Sequence, residues 1–160
     1  MEKKYELTDE ILEVGGRVLH RINALRNFGN IKQGEIGGWI ENEDNLSHCG
    51  DCWVYGDAKV LGNAKVYGNA EVYGDAEVYG DAEVYGNAEV EKKSDYIVFK
   101  NWWSSGRYFT WTRSNDKWRV GCFYGTGEEL IKKAYNDSEE KGREYERVVK
   151  YVESIKSEIK

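Results

Sequence analysis

The chain has 160 residues, 32% of them charged and 40% hydrophobic, with a formal net charge of −6 and no proline. That length holds one or two small domains; no run of 18 or more apolar residues offers a membrane span, and the opening MEKKYELTDE lacks the apolar stretch of a secretory signal. Three cysteines, Cys49, Cys52 and Cys122, are few and odd in number, which suits a reducing, cytoplasmic compartment better than a disulfide scaffold.

The charge is unevenly spread. Residues 1–35 carry six acids and six bases, and residues 36–91 carry twelve acids against two lysines. Residues 92–126 carry seven bases against two acids, and residues 127–160 nine acids against eight bases. The expected organisation is an N-terminal cap (1–35), an acidic repeat (36–91) and a module (92–160) that opens basic and aromatic.

In the first segment, Ile11-Leu12-Glu13-Val14, Gly15-Gly16 and Arg17-Val18-Leu19-His20-Arg21-Ile22 read as a β-hairpin, because Gly-Gly allows the positive φ angles of a tight turn. Ala24, Leu25 and Phe28 extend the apolar content to the turn at Gly29-Asn30. A solenoid end exposes unpaired backbone and apolar core, and this segment is the natural cover for one. His20 has no acid or cysteine nearby in sequence and is expected to be structural.

Residues 54–90 read VYGDAK VLGNAK VYGNAE VYGDAE VYGDAE VYGNAE V. Position 1 is always Val, position 3 Gly, position 4 Asn or Asp, position 5 Ala and position 6 Lys or Glu; position 2 is Tyr except at Leu61. So short a period means a solenoid whose units touch only their neighbours. Positions 1 and 5 should face inward, and the Gly-Asn/Asp pair should turn the chain. Counting back in sixes from Ala58 puts Cys52, Leu46 and Ile40 at position 5, and His48, Asn42 and Ile36 at position 1.

This pattern resembles the hexapeptide-repeat family, which implies a left-handed triangular β-helix with three hexads per coil, a hand that departs from the usual crossover rule. Residues 18 apart would then stack, giving about three coils from Ile36 to Val90. Val54, Val72 and Val90 would form one ladder; Lys59 would lie over Glu77, Lys65 over Glu83 and Glu71 over Glu89. Tyr55, Tyr67, Tyr73, Tyr79 and Tyr85 would point outward, and rows of exposed aromatics call for a covering surface. The resemblance implies a homo-oligomer, with a trimer favoured; the other reading is tyrosines lying flat on the solenoid.

The resemblance also raises chemistry that the residues do not support. Acyltransferases of the family use a catalytic histidine, and relatives with carbonic anhydrase activity need three histidine ligands; this chain has two histidines. His48-Cys49-x-x-Cys52 has metal-like spacing, but a lone C-x-x-C is a weak signal and Cys52 already fills a small inward slot. Neither a metal site nor a cofactor is expected. Three coils at about 4.8 Å rise about 14 Å, over which duplex DNA carries about eight charges. The repeat's acids therefore allow nucleic-acid mimicry toward a basic groove, or serve as ordinary solubilising surface.

In the last segment, residues 96–102, 107–112 and 118–124 read as a three-stranded antiparallel meander. Thr126-Gly127-Glu128-Glu129 is a capping box that starts a helix at Glu128, and Asp137-Ser138-Glu139-Glu140 starts a second the same way. Tyr145, Val148, Val149, Val152, Ile155 and Ile159 form one apolar stripe, to cover the sheet or to meet another copy. Trp102, Trp103, Trp111 and Trp118 lie among Arg107, Arg113 and Arg119, a composition that can stack bases and hold phosphates. These seven residues are the candidate binding face; the alternative is a sheet core built of the same aromatics.

YELTDE, GEIGGWIENEDNLSHCGDCWVYGDAKV and the GNAEVYG units resemble hexapeptide-repeat proteins of bacterial phages and prophages, over about the first 90 residues; VGCFYGTGEELIKKAY has the feel of a recurring module in the same setting. The resulting expectation is a mainly β chain: a short left-handed β-helix, then a small α+β module of three strands and two helices. The expected function is a non-enzymatic, self-associating binding protein in the bacterial host cytoplasm. It would inhibit a host defence system, as anti-CRISPR proteins do, by binding a protein or nucleoprotein. The alternatives are a sponge that holds a nucleotide signal or single-stranded nucleic acid on the Trp/Arg sheet, and a degenerate acyltransferase.

Overall fold

The computed structural model describes residues 2–100 and 105–159, a mainly β chain with several small sheets and two α-helices. Among the described residues no helix is long and apolar enough to cross a membrane. Strands β1 (Tyr5–Val14) and β2 (Arg17–Ala24) form the hairpin, turned by Gly15 and Gly16 at φ +56° and +82°. His20 is half-buried in it, with Nδ1 3.0 Å from the Thr8 carbonyl. Strand β3 (Ile36–Ile40) pairs antiparallel with β2.

The repeat forms seven two-residue strands: β4 (Trp53–Val54), β5 (Lys59–Val60), β6 (Lys65–Val66), β7 (Glu71–Val72), β8 (Glu77–Val78), β9 (Glu83–Val84) and β10 (Glu89–Val90). They pair in parallel at an 18-residue stagger, β4–β7–β10, β5–β8 and β6–β9, so three walls enclose one core. Every repeat valine and alanine is buried. The six repeat glycines hold φ between +57° and +69°, a region a Cβ penalises, which is why the corners admit nothing else. Lys59 faces Glu77 and Lys65 faces Glu83 in register. Glu77 nevertheless pairs with Lys93 at 2.8 Å, and among the described residues neither expected ion pair closes.

The degenerate first coil departs from the simple frame. Ile40 pairs with Val60 and Leu46 with Val66, a stagger of twenty residues, so both hold the valine position rather than the alanine position. Two extra residues therefore lie between Leu46 and Val54. Cys52 keeps its inward slot, but Ile36, expected inside, is 54% exposed and Asn42 is exposed. His48, also expected inside, lies half-buried on the ring of Tyr5, with centroids 4.2 Å apart.

Parallel stacking leaves the two ends with unlike groups. At the lower end the carbonyls point outward. The Cys52 and Gly50 carbonyls accept from the Lys4 ammonium at 2.7 and 3.3 Å, and those of Ala64 and Gly62 accept from Asn45 Nδ2 at 2.8 and 3.1 Å. At the upper end the N–H groups point outward. Glu83 N–H donates to Thr110 Oγ1 (3.0 Å), Glu89 N–H to Ser114 Oγ (2.8 Å), and Glu91 and Lys92 N–H to Asp95 Oδ2 (2.9 and 3.1 Å). The Tyr96 hydroxyl accepts from Tyr79 N–H and donates to the Glu77 carbonyl. Each cap thus meets the backbone polarity exposed to it.

The upper cap is the C-terminal sheet: β11 (Tyr96–Lys100), β12 (Tyr108–Thr112), β13 (Lys117–Val120) and β14 (Phe123–Gly125), in that order and antiparallel. The expected third strand splits in two at Gly121-Cys122, with Gly121 at φ +57°, so the sheet has four strands. Helices α1 (Gly127–Asp137) and α2 (Glu139–Ile155) cover its other side. The Thr126 capping box starts α1 at Gly127. Ser138, following the last residue of α1, caps α2 by accepting from Lys141 N–H. Tyr145, Val149 and Val152 of α2 are buried with the sheet aromatics, so the stripe covers the sheet.

Candidate interaction surfaces

Alternation along the strands assigns the expected binding residues to their faces. Ile97, Phe99, Phe109, Trp111, Trp118 and Val120 pack with the helices; Tyr96 and Val98 pack on the solenoid core. Among the described residues both faces of the sheet are therefore covered, and Trp111 and Trp118 form no open aromatic platform. Trp111 and Trp118 are 1% and 2% exposed, and the Trp111 indole donates to Asp116 Oδ1 at 2.8 Å. A small sheet between two partners needs its largest side chains for packing. Trp102 and Trp103 lie outside the described residues.

The arginines separate as well. Arg113 Nη1 lies 3.5 Å from Asp95 Oδ1, at the upper cap. The Arg119 guanidinium lies over the rings of Tyr67 (5.3 Å) and Tyr85 (4.8 Å), a cation–π clamp between module and solenoid. Arg107 is exposed on the helix side of the sheet, at the mouth of a cavity.

The tyrosine rows are mostly engaged within the chain. The Tyr67 ring leans on Tyr85 with centroids 4.4 Å apart and a 38° tilt, and Tyr85 meets the edge of Tyr124 at 4.9 Å. The Tyr55 and Tyr67 hydroxyls donate to Glu71 and Glu83, whose charge, with burial as the larger cause, pushes Tyr55 up to about 12 and Tyr67 further. Tyr73 is half-buried, and Tyr79 is 56% exposed beside Leu61.

At the expanded corner, the main-chain N–H of Lys4 donates to His48 Nδ1 (3.1 Å), and the Lys4 ammonium lies 3.4 Å from Cys52 Sγ. Burial lowers the pKa of Lys4 and His48 and raises that of Cys52. Among the described residues no three His, Cys, Asp or Glu side chains converge as metal donors.

The β6–β9 wall carries a shallow groove of about 530 Å³ between the two caps, lined by Asp44, Asn63, Lys65, Asp81, Glu83 and Tyr108. A second hollow of about 400 Å³ shares Asp44, Lys65 and Glu83 with it and adds Glu43 and Arg119. Glu43 pairs with Lys3 at 3.1 Å; with Arg119 committed to the tyrosine rings, Lys65 faces Asp44, Asp81 and Glu83. Asp81 sits close enough to the Tyr108 phenol to raise its pKa. Sequence reading found the acids but not that the two caps frame them, because the upper cap comes from residues 25 or more further along the chain. No known family model matches the chain, and no curated protein does.

Proposed function

We propose that the chain is a non-enzymatic binding protein whose acidic β6–β9 groove receives a basic segment of a protein or nucleoprotein target. The observation that carries this reading is the groove itself: Asp44, Asp81 and Glu83 set against Lys65 and framed by both caps. A wall of one sign focuses its field and speeds association with the opposite sign. The aromatic sheet serves as the cover of the solenoid end, which leaves the acidic wall as the large chemically biased surface. The solenoid is wound left-handed, as the hexapeptide-repeat resemblance implies, and the target belongs to a bacterial host defence system, as the phage resemblance implies.

Capture from host lysate tests the reading. The wild-type chain should retain a protein or nucleoprotein that duplex DNA displaces, and Asp81→Lys with Glu83→Lys should lose it. Capture indifferent to DNA and to both substitutions would sink the groove. Turnover of an acyl-CoA that disappears in His48→Ala would overturn the non-enzymatic reading.

Self-association is a second reading, favoured by Tyr79 beside Leu61 on an uncovered corner. A monomeric mass in solution at high concentration would exclude it.

A further inference from the structure

The cavity beside Arg107 lies on the opposite side of the module from the acidic groove. Its volume is about 170 Å³, close to the roughly 150 Å³ that accommodates one benzene ring in a protein core. The floor is apolar: Val120 and Phe123 from the sheet, Leu130 and Ala134 from α1. Its mouth carries three cations, Arg107 just before β12, Lys133 from α1 and Lys141 from α2.

The one carboxylate at the mouth, Asp137, lies 2.8 Å from the Lys141 ammonium and 4.0 Å from Lys133. Those two lysines, with a smaller contribution from Arg107, hold its carboxyl below the usual carboxylate range. Among the described residues Arg107 has no carboxylate within 4.0 Å. Its guanidinium lies across the β13–β14 turn, where a Cβ on Gly121 would collide with Nη1. The absence of a side chain at residue 121 is thus what lets the arginine reach over the cavity.

We propose that this cavity binds a small organic anion, a single ring or compact branched group bearing a carboxylate or phosphate. The apolar part fills the floor between β13, β14 and α1, and the anionic part meets Arg107 and Lys141 at the mouth. Arginine suits this position because its planar fork pairs two oxygens at once. A nucleotide, with two ring systems' worth of bulk, exceeds the space. The site is independent of the acidic groove, so loss of one leaves the other intact.

Benzoate, phenyl phosphate and the neutral benzyl alcohol test the assignment, added to the full-length protein and followed by amide chemical shifts. Both anions should move the resonances of Gly121, Cys122 and Ala134 together. Benzyl alcohol should bind about tenfold more weakly, and Arg107→Gln should weaken both anions by a similar factor while leaving the melting temperature unchanged. Lys141→Gln provides a second variant with the same expectation. Equal binding of benzyl alcohol overturns the proposal, as do anion binding indifferent to both substitutions, shifts scattered over the surface, or no shift at about 10 mM ligand. Preference for phenyl phosphate identifies a phosphate ligand, and preference for benzoate a carboxylate.

Discussion

The lower and upper ends of the solenoid present the same core with opposite backbone polarity. The lower end shows carbonyls on two walls, closed by donors, the fully buried ammonium of Lys4 and the amide of Asn45, while β2 pairs antiparallel along the third. The upper end shows N–H groups and is closed by acceptors: the hydroxyls of Thr110, Ser114 and Tyr96 and the carboxylate of Asp95. The two covers cannot be exchanged, because each would present its groups to like groups. A solenoid cap is therefore a chemical complement as well as an apolar lid, and the basic character of the module lies beside its capping groups rather than in them.

Removing Asp95 should break this comparison most severely. Its carboxylate accepts from two main-chain N–H groups and faces Arg113, so Asp95→Ala should lose about 2–3 kcal/mol by denaturant unfolding. A loss under about 0.5 kcal/mol would show that acceptors are not what closes this end.

The lower end should respond less and differently. Lys4→Met strips donors from the Cys52 and Gly50 carbonyls, a change of about 1–2 kcal/mol at neutral pH. Burial lowers the Lys4 pKa from 10.5, so above the folded value and up to 10.5 the unfolded chain binds more protons. The stability of the native protein should rise with pH across that window, and Lys4→Met should abolish the rise. Unfolding measured between about pH 7 and pH 8.5 reads the slope before the opposing titration of Cys52, whose pKa burial raises from 9.0, and below those of the tyrosines. Those set in above about pH 10, where the raised pKa of Tyr55 and Tyr96 makes stability fall.

The smallest effect sharpens the upper end. Thr110 is 2% exposed, and Thr110→Val should lose about 1 kcal/mol by leaving Glu83 N–H unpaired. Ser114 is exposed, and Ser114→Ala should lose at most about 0.5 kcal/mol, because water replaces the hydroxyl at Glu89 N–H. Equal losses at both positions would argue against burial as the deciding factor.

Much of this architecture is legible in the residues. The valine and alanine positions set the core, Gly15-Gly16 sets the hairpin, and Thr126 with Glu129 starts α1. The first coil misleads because Ile40 and Leu46 are apolar at either of two inward positions, so nothing local marks the two-residue expansion before Val54. The module misleads for a different reason. Its composition suits a binding face and a packed core equally, and only the run Tyr96-Ile97-Val98-Phe99, apolar on both sides of a strand, marks burial on two faces. The pairing of Lys133, Asp137 and Lys141 at four-residue steps was readable as one helical edge, but α1 ends between them, and the cavity they border depends on the turn at Gly121.

Because Tyr96, Thr110 and Ser114 each meet a different wall of the last coil, the solenoid also fixes the azimuth of the module relative to the hairpin. Eighteen residues more or fewer would move the module along the axis by one strand spacing, about 4.8 Å, without turning it. Six would swing it by a third of a revolution relative to the hairpin, with each capping group still on the hexad it meets now. Length thus sets the distance between hairpin and module in whole turns and their relative direction in thirds of a turn, and the repeat acts as a ruler and a compass at once.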